Sequence, residues 1–258
     1  MGEPLRVFWQ PGCSSCLKAK EFLAGHGFSY ESVNMLASAQ GLADLKALGA
    51  KSVPVVSRGR DFVFAQNLSD LAAFVGVERE ARVLTRTDLV AKIDRVLAVA
   101  QALAPQLPDE TLATKLPGRD RTYLDLAFHI FVIAEALLES ARGGELTFDF
   151  FERLPPDDMF TGAQVASFGA RVRGDVAAWW ASASESLPLA MRTYYGDQSP
   201  DDLLERTAWH AAQHTRQLEA VLHGQGIRPN DRLSEADLAG LPLPDHVYDD
   251  EVPLDSNR

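Results

Sequence analysis

The sequence predicts two domains of different class: an α/β domain at the N-terminus, followed by an all-α helical bundle. Three observations carry this. The first eighty residues alternate short apolar runs with short helical patterns, punctuated by Gly and Pro. From about residue 84 the apolar spacing changes to that of long amphipathic helices. At 258 residues the chain exceeds one typical domain and suits two cores.

Leu5-Arg6-Val7-Phe8-Trp9 reads as a buried strand and Gln10-Pro11-Gly12 as the turn after it. Cys13-Ser14-Ser15-Cys16 opens a helix running to about Ala24, closed by Gly25 and Gly27. Tyr30 to Val33 suggests a second strand and Gly41 to Leu48 a second helix. Ser52-Val53-Pro54-Val55-Val56 and Phe62-Val63-Phe64 make a hairpin around Arg58-Gly59-Arg60-Asp61, and Ser69 to Phe74 a last helix. The order β-α-β-α-β-β-α is that of the thioredoxin fold.

Val77 to Arg82 is a short charged connector. A first long helix spans Thr87 to Ala104 and ends at Pro105 and Pro108; a second runs from about Thr122 to Arg142 and stops at Gly143-Gly144. Leu146 to Thr161, rich in Phe and Pro, reads as an irregular crossing, and a third helix covers about Ala163 to Leu187. Ser199 as N-cap, Pro200 at the first position and Asp201-Asp202 in the first turn start a fourth, which reaches His223 before Gly224 and Gly226. Four such helices with one crossing loop describe a four-helix bundle. The expected division is therefore 1–80, 84–229 and an acidic tail over 230–258.

Hydrophobic content of 46% and charged content of 24% are those of a globular protein. The net charge of −11 falls entirely after residue 80, because residues 1–80 hold eight basic and eight acidic side chains. That balance excludes nucleic acid as a partner, since phosphates need basic contacts. The chain has no apolar run of the roughly 18 residues a membrane span needs. The opening Met1-Gly2-Glu3-Pro4 leaves no room for a signal peptide, so the expected location is cytoplasmic.

The only two cysteines sit three positions apart, which in a cytosolic setting points to redox catalysis or metal binding before a structural staple. Cys13 at a helix N-terminus meets unpaired N–H groups and the macrodipole, which stabilise a thiolate. Cys16, one turn on, can resolve a mixed disulfide formed at Cys13. Half of a zinc site is the alternative, but it lacks a second cysteine pair.

In the helical part, the seam of the fourth helix reads Leu203, Thr207, His210, His214, Leu218, Val221, placing two histidines in an apolar stripe at i and i+4. The second helix repeats this with Leu126, His129, Ile133 and Leu137. A lone seam histidine is more often a hydrogen-bonded core residue. Three meeting from two helices would each need a polar partner, and one divalent ion supplies it to all. Three nitrogens with an open fourth position is the catalytic arrangement of zinc. Nickel, iron and manganese also suit imidazole. The remaining histidines read otherwise: His26 and His223 lie at helix C-termini and His246 in the acidic tail. Glu135 and Glu139 read as a charged surface face, Trp179-Trp180 as core on one side and surface on the other, and Tyr194-Tyr195 as pocket lining.

Residues 5–76 resemble a glutaredoxin in the strand, Cys13-Ser14-Ser15-Cys16 and Ser52-Val53-Pro54. The resemblance implies a cis-proline at Pro54, backbone hydrogen bonds from Val53 to a thiol peptide, and Ser69-Asp70 holding its γ-glutamyl end. Gln10 stands where many glutaredoxins carry a lysine and Gln66-Asn67 where a glycine pair is usual, so the thiol is glutathione or another low-molecular-weight analogue. Residues 84–246 resemble the DinB-like superfamily of metal-binding bundles, which includes mycothiol-dependent maleylpyruvate isomerases and bacillithiol S-transferases. The matching residues are Leu126-Ala127-Phe128-His129 and the run from His210 through His214 to Arg216-Gln217-Leu218.

Together these imply a thiol-dependent enzyme, of S-transferase or isomerase type. A divalent ion at His129, His210 and His214 activates a low-molecular-weight thiol or water, and Cys13 and Cys16 handle the thiol adduct of a small-molecule substrate. A homodimer is compatible with this. The alternatives are a redox relay or sensor whose bundle only binds, and a metal-dependent hydrolase with a regulatory redox domain.

Overall fold

In the computed structural model, which describes residues 3–183, 186–249 and 251, the chain divides into two units. One comprises Met1–Ala81, Pro117–Arg119 and Pro244–Arg258; the other comprises Arg82–Leu116 and Asp120–Leu243.

The first unit is a four-stranded mixed sheet in the order β2-β1-β3-β4, from β1 (Leu5–Trp9), β2 (Tyr30–Asn34), β3 (Val55–Arg58) and β4 (Asp61–Phe64). β1 runs parallel to β2 and antiparallel to β3, and β4 pairs antiparallel with β3. Three helices accompany it: α1 (Ser14–Gly25), α2 (Ala39–Ala47) and α3 (Leu68–Val75). The two-residue period of a strand explains how the sheet serves two cores. Leu5, Val7 and Val56 face one cluster with Leu23 and Leu71, while Phe8 and Val55 face the other with Val33 and Leu45. Each large side chain removed from water there contributes roughly 1.5–3 kcal/mol. This is the thioredoxin fold expected from the element order.

The second unit is built on α4 (Arg86–Leu103), α5 (Tyr123–Ala141), α7 (Gly162–Ala183) and α8 (Pro200–Gly224). α4 and α5 each pack on both α7 and α8. Starts are fixed by side chains: Thr85 and Thr122 form capping boxes with Asp88 and Asp125, and Ser199 caps α8 ahead of Pro200. Gly169 lets α7 approach α5 closely, because a Cβ there would enter the ring of Phe131.

Two details differ from the sequence reading. The third long helix is described over Gly162–Ala183, and residues 186 and 187 are not helical, so it stops short of the expected Leu187. Pro188 disfavours the helical region for the residue before it. The stretch 146–161 is not wholly irregular. It holds a one-turn helix α6 (Asp149–Glu152), preceded by β5 (Glu145–Leu146), which pairs in parallel with β6 (Arg192–Thr193). A further short helix, α9 (Glu235–Leu238), follows α8. No helix among the described residues is long and apolar enough to cross a membrane.

Candidate redox and metal sites

Cys13 is the N-cap of α1, with extended backbone, and its sulfur accepts the Cys16 amide at 3.2 Å. The two cysteines are joined as a disulfide with Cα atoms 5.2 Å apart. Cys16 is buried at 1% exposure whereas Cys13 is half-buried, so the first sulfur is the accessible one. Arg119, which clusters with this unit, donates from Nη1 to the carbonyl of Gly12 at 3.0 Å. Burial pushes its pKa down to about 10, so it still carries its charge at neutral pH beside the cysteine motif.

The Val53–Pro54 peptide is cis. Gln66 donates its side-chain amide to the Val53 carbonyl at 3.0 Å. Asn67 caps α3 by accepting the Asp70 amide at 2.8 Å, and its own side-chain amide donates to the Asp70 carboxylate at 3.0 Å. Ser69 Oγ accepts from Arg79 at 3.0 Å. The polar pair at 66 and 67 thus bonds to the backbone before the cis-proline and to the start of α3.

Lys20, one turn beyond Cys16 on α1, is 5% exposed. Its ammonium lies 3.7 Å from the centroid of the Trp9 ring and pairs with Asp249 at 2.7 Å and Glu251 at 2.5 Å. Glu251 also accepts from Ser32 Oγ, which in turn accepts from Trp9 Nε1 at 2.7 Å. His246 is exposed, and its Nδ1 lies 3.0 Å from Glu21 Oε1.

In the helical unit the seam spacing does what it predicts. His129 from α5 and His210 and His214 from α8 converge, all buried, each offering a ring nitrogen within 4.8 Å of the others. The Nε2 atoms of His210 and His214 are 3.2 Å apart. Metal–nitrogen bonds of about 2.0–2.1 Å place two imidazole nitrogens about 2.9–3.4 Å apart on one ion, so this pair already has the required separation. Drawing in the widest of the three separations needs a side-chain shift on the order of 1 Å, well within a rotamer well.

His214 Nδ1 donates to Gln217 Oε1 at 2.7 Å. A protonated Nδ1 leaves the Nε2 lone pair aimed at His210, which is the tautomer a ligand needs. The donor set is neutral and imidazole-only, compatible with a divalent transition metal. Phe151 of α6 stands with its ring centroid 6.0 Å from those of both His129 and His210. Tyr194 and the Arg206 guanidinium pack on Phe151 in turn.

Fold and cluster together define a thioredoxin-fold domain carrying the Cys13–Cys16 disulfide, joined to a helical bundle that carries a three-histidine cluster. The comparisons agree: the glutaredoxin family model matches residues 5–63, and the DinB superfamily model matches residues 92–218. The chain thus joins a glutaredoxin-like domain to a DinB-like one. No curated protein matches it significantly.

The sequence reading missed Gln217 as a partner of His214, Phe151 and Arg206 beside the cluster, and Arg119 beside the cysteines. Gln217 had a usable signal, since i+3 on a helix places it next to His214. The others reach their places only through tertiary packing.

Proposed function

We propose that this protein is a thiol-dependent enzyme in which His129, His210 and His214 hold one divalent ion, most simply zinc, and Cys13 and Cys16 form the working thiol–disulfide pair. The convergence of three buried histidines from two helices, one with its tautomer fixed by Gln217, supports this reading above all. A bound ion would lower the pKa of a coordinated thiol or water toward neutrality. Three histidine nitrogens would leave the remaining coordination position of the ion to that ligand, and the Phe151 ring stands 6.0 Å from those of both His129 and His210. In the redox domain, Cys13 thiolate attacks a disulfide of the low-molecular-weight thiol and expels one thiolate. Cys16 then loses its proton and attacks Cys13 Sγ, releasing the second thiolate and forming the Cys13–Cys16 disulfide. The same pool of thiol serves both centres, glutathione or an analogue, with a small-molecule electrophile as the second substrate.

The test is metal analysis followed by a thiol-conjugation screen on the whole chain. About one divalent ion per chain is expected. His210→Ala should lose both the ion and conjugation, while His223→Ala keeps both. Equal metal content in the two variants, or conjugation that survives chelation, overturns the reading.

A further inference from the structure

Beside the cysteine motif stands a cation that no carboxylate neutralises among the described residues. Arg119 falls between α4 and α5 in sequence, within the short stretch Pro117–Arg119 that clusters with the redox unit. Its Nη1 donates to the Gly12 carbonyl at 3.0 Å, across 107 residues of chain. Its stem packs on the same glycine, where an added Cβ would lie 3.2 Å from Arg119 Cδ. The neighbouring Asp120 is engaged elsewhere, by Lys115 at 2.8 Å. Burial alone lowers the guanidinium pKa, to about 10, so the group stays protonated at neutral pH.

The Gly12 carbonyl belongs to the peptide bond that leads into Cys13. Standard bond lengths keep Cys13 Sγ within about 6 Å of that oxygen in any rotamer, so the guanidinium nitrogen lies within about 9 Å of the sulfur. Cys13 is the N-cap of α1, whose first turn holds no acidic side chain. The charged groups further along that helix are Lys18, Lys20 and Glu21. Lys20 pairs with Asp249 and Glu251, and Glu21 accepts from the His246 amide. Arg119 therefore adds a full positive charge at the helix end where the macrodipole already places a partial one. A positive charge at this range favours a thiolate over a thiol, and partial burial reduces its screening by salt.

We propose that Arg119, fixed to the Gly12 carbonyl, is a positioning residue of the redox centre whose charge holds Cys13 as the attacking thiolate. The reduced Cys13 gives its proton to solvent at a lower pH than the helix end alone would bring about. This rests on Cys13 as the attacking sulfur and is independent of the metal reading.

The experiment uses the whole chain, reduced and freed of excess reductant. The rate of Cys13 alkylation by iodoacetamide is followed against pH, with the labelled cysteine identified by mass mapping. One charge at this distance, at effective dielectric constants between those of a protein surface and of water, displaces a thiol midpoint by about 0.5–1.5 pH units. Arg119→Gln should raise the Cys13 midpoint by that amount. Arg119→Lys, which keeps the charge, should stay within about 0.3 pH units of the parent. Arg153→Gln, which removes a charge paired with Glu135, should leave the midpoint where it was. Arg119→Met keeps the apolar stem against Gly12 and decides the matter should Arg119→Gln fail to fold. A midpoint within about 0.2 pH units of the parent in the neutral variant overturns the proposal. So does an equal displacement in Arg119→Lys or Arg153→Gln, which would assign the effect to something other than this charge. Cys16 labelled first would remove the assignment of Cys13 itself, and this one with it, whatever the metal content of the chain.

Discussion

Replacing Gln217 by leucine tests the metal centre through a residue that never touches the ion. In the parent protein Gln217 and His214 are both 2% exposed and their side chains meet at 2.7 Å. Leucine is close in volume, removes the acceptor and leaves no space for a replacement water. A buried donor left without its acceptor costs about 1–3 kcal/mol. Loss of an outer-shell partner typically lowers metal affinity about 10–100-fold, which is about 1.4–2.7 kcal/mol. The two scales agree, and the short, fully buried contact favours their upper half. Competition for Zn2+ against a chromophoric chelator should therefore show a Kd raised on the order of 30-fold. Gln217→Glu, which restores an acceptor and adds charge, should bind at least as tightly as the parent. An affinity for Gln217→Leu within twofold of the parent would mean that His214 Nε2 is not a ligand, and the argument from the tautomer fails.

In the reduced protein, Cys13 should be alkylated before Cys16 and well below pH 8.5, as mass mapping after a brief pulse would show; Cys16 labelled first reverses attacking and resolving roles. Burial holds the Glu219 carboxyl above its ordinary range, so the unfolded chain ionises first as pH rises past about 4.3, and stability is lost from there up to the folded value. Glu219→Gln can still accept the Leu233 amide and should be more stable than the parent at pH 7, on the order of 0.5–1 kcal/mol, with the difference vanishing below pH 4 in denaturant melts. Gly169→Ala drives a methyl into the Phe131 ring and should cost about 1–3 kcal/mol; an unchanged melting temperature would show that the α5–α7 approach is looser than described.

The readable parts of this molecule were those whose signal is local. Cys13 and Cys16 declare themselves by spacing and by the strand–turn–helix around them. His210 and His214 share a face because four residues make about one turn of helix. His129 required a second step, the expectation that two apolar seams meet, and the bundle supplies it. Arg206 looks like an ordinary surface charge in sequence, and only the fold of 146–161, with Phe151 on its one-turn helix, brings an aromatic wall against it. Lys20 gives no sign of burial, because its counter-ions lie 229 residues away for the nearer of the two. Arg119 is far in sequence from Gly12 and no periodicity links them.

The clasp of Lys20 by Asp249 and Glu251 has a consequence for how the protein is made. The first unit takes residues from both ends of the chain, so the helical domain is, in connectivity, an insertion within it. A ribosome extends a chain at roughly 5–20 residues per second, with N-terminal domains folding as they emerge. Asp249 is synthesised 229 residues after Lys20, which at those rates is about 10–50 s later. Through that interval the nascent redox unit carries its lysine ammonium on the Trp9 face without either carboxylate. The ion pairs of Lys20 with Asp249 and Glu251 close only after residue 251 has been made, and a chain released short of residue 249 leaves the Lys20 ammonium without either carboxylate.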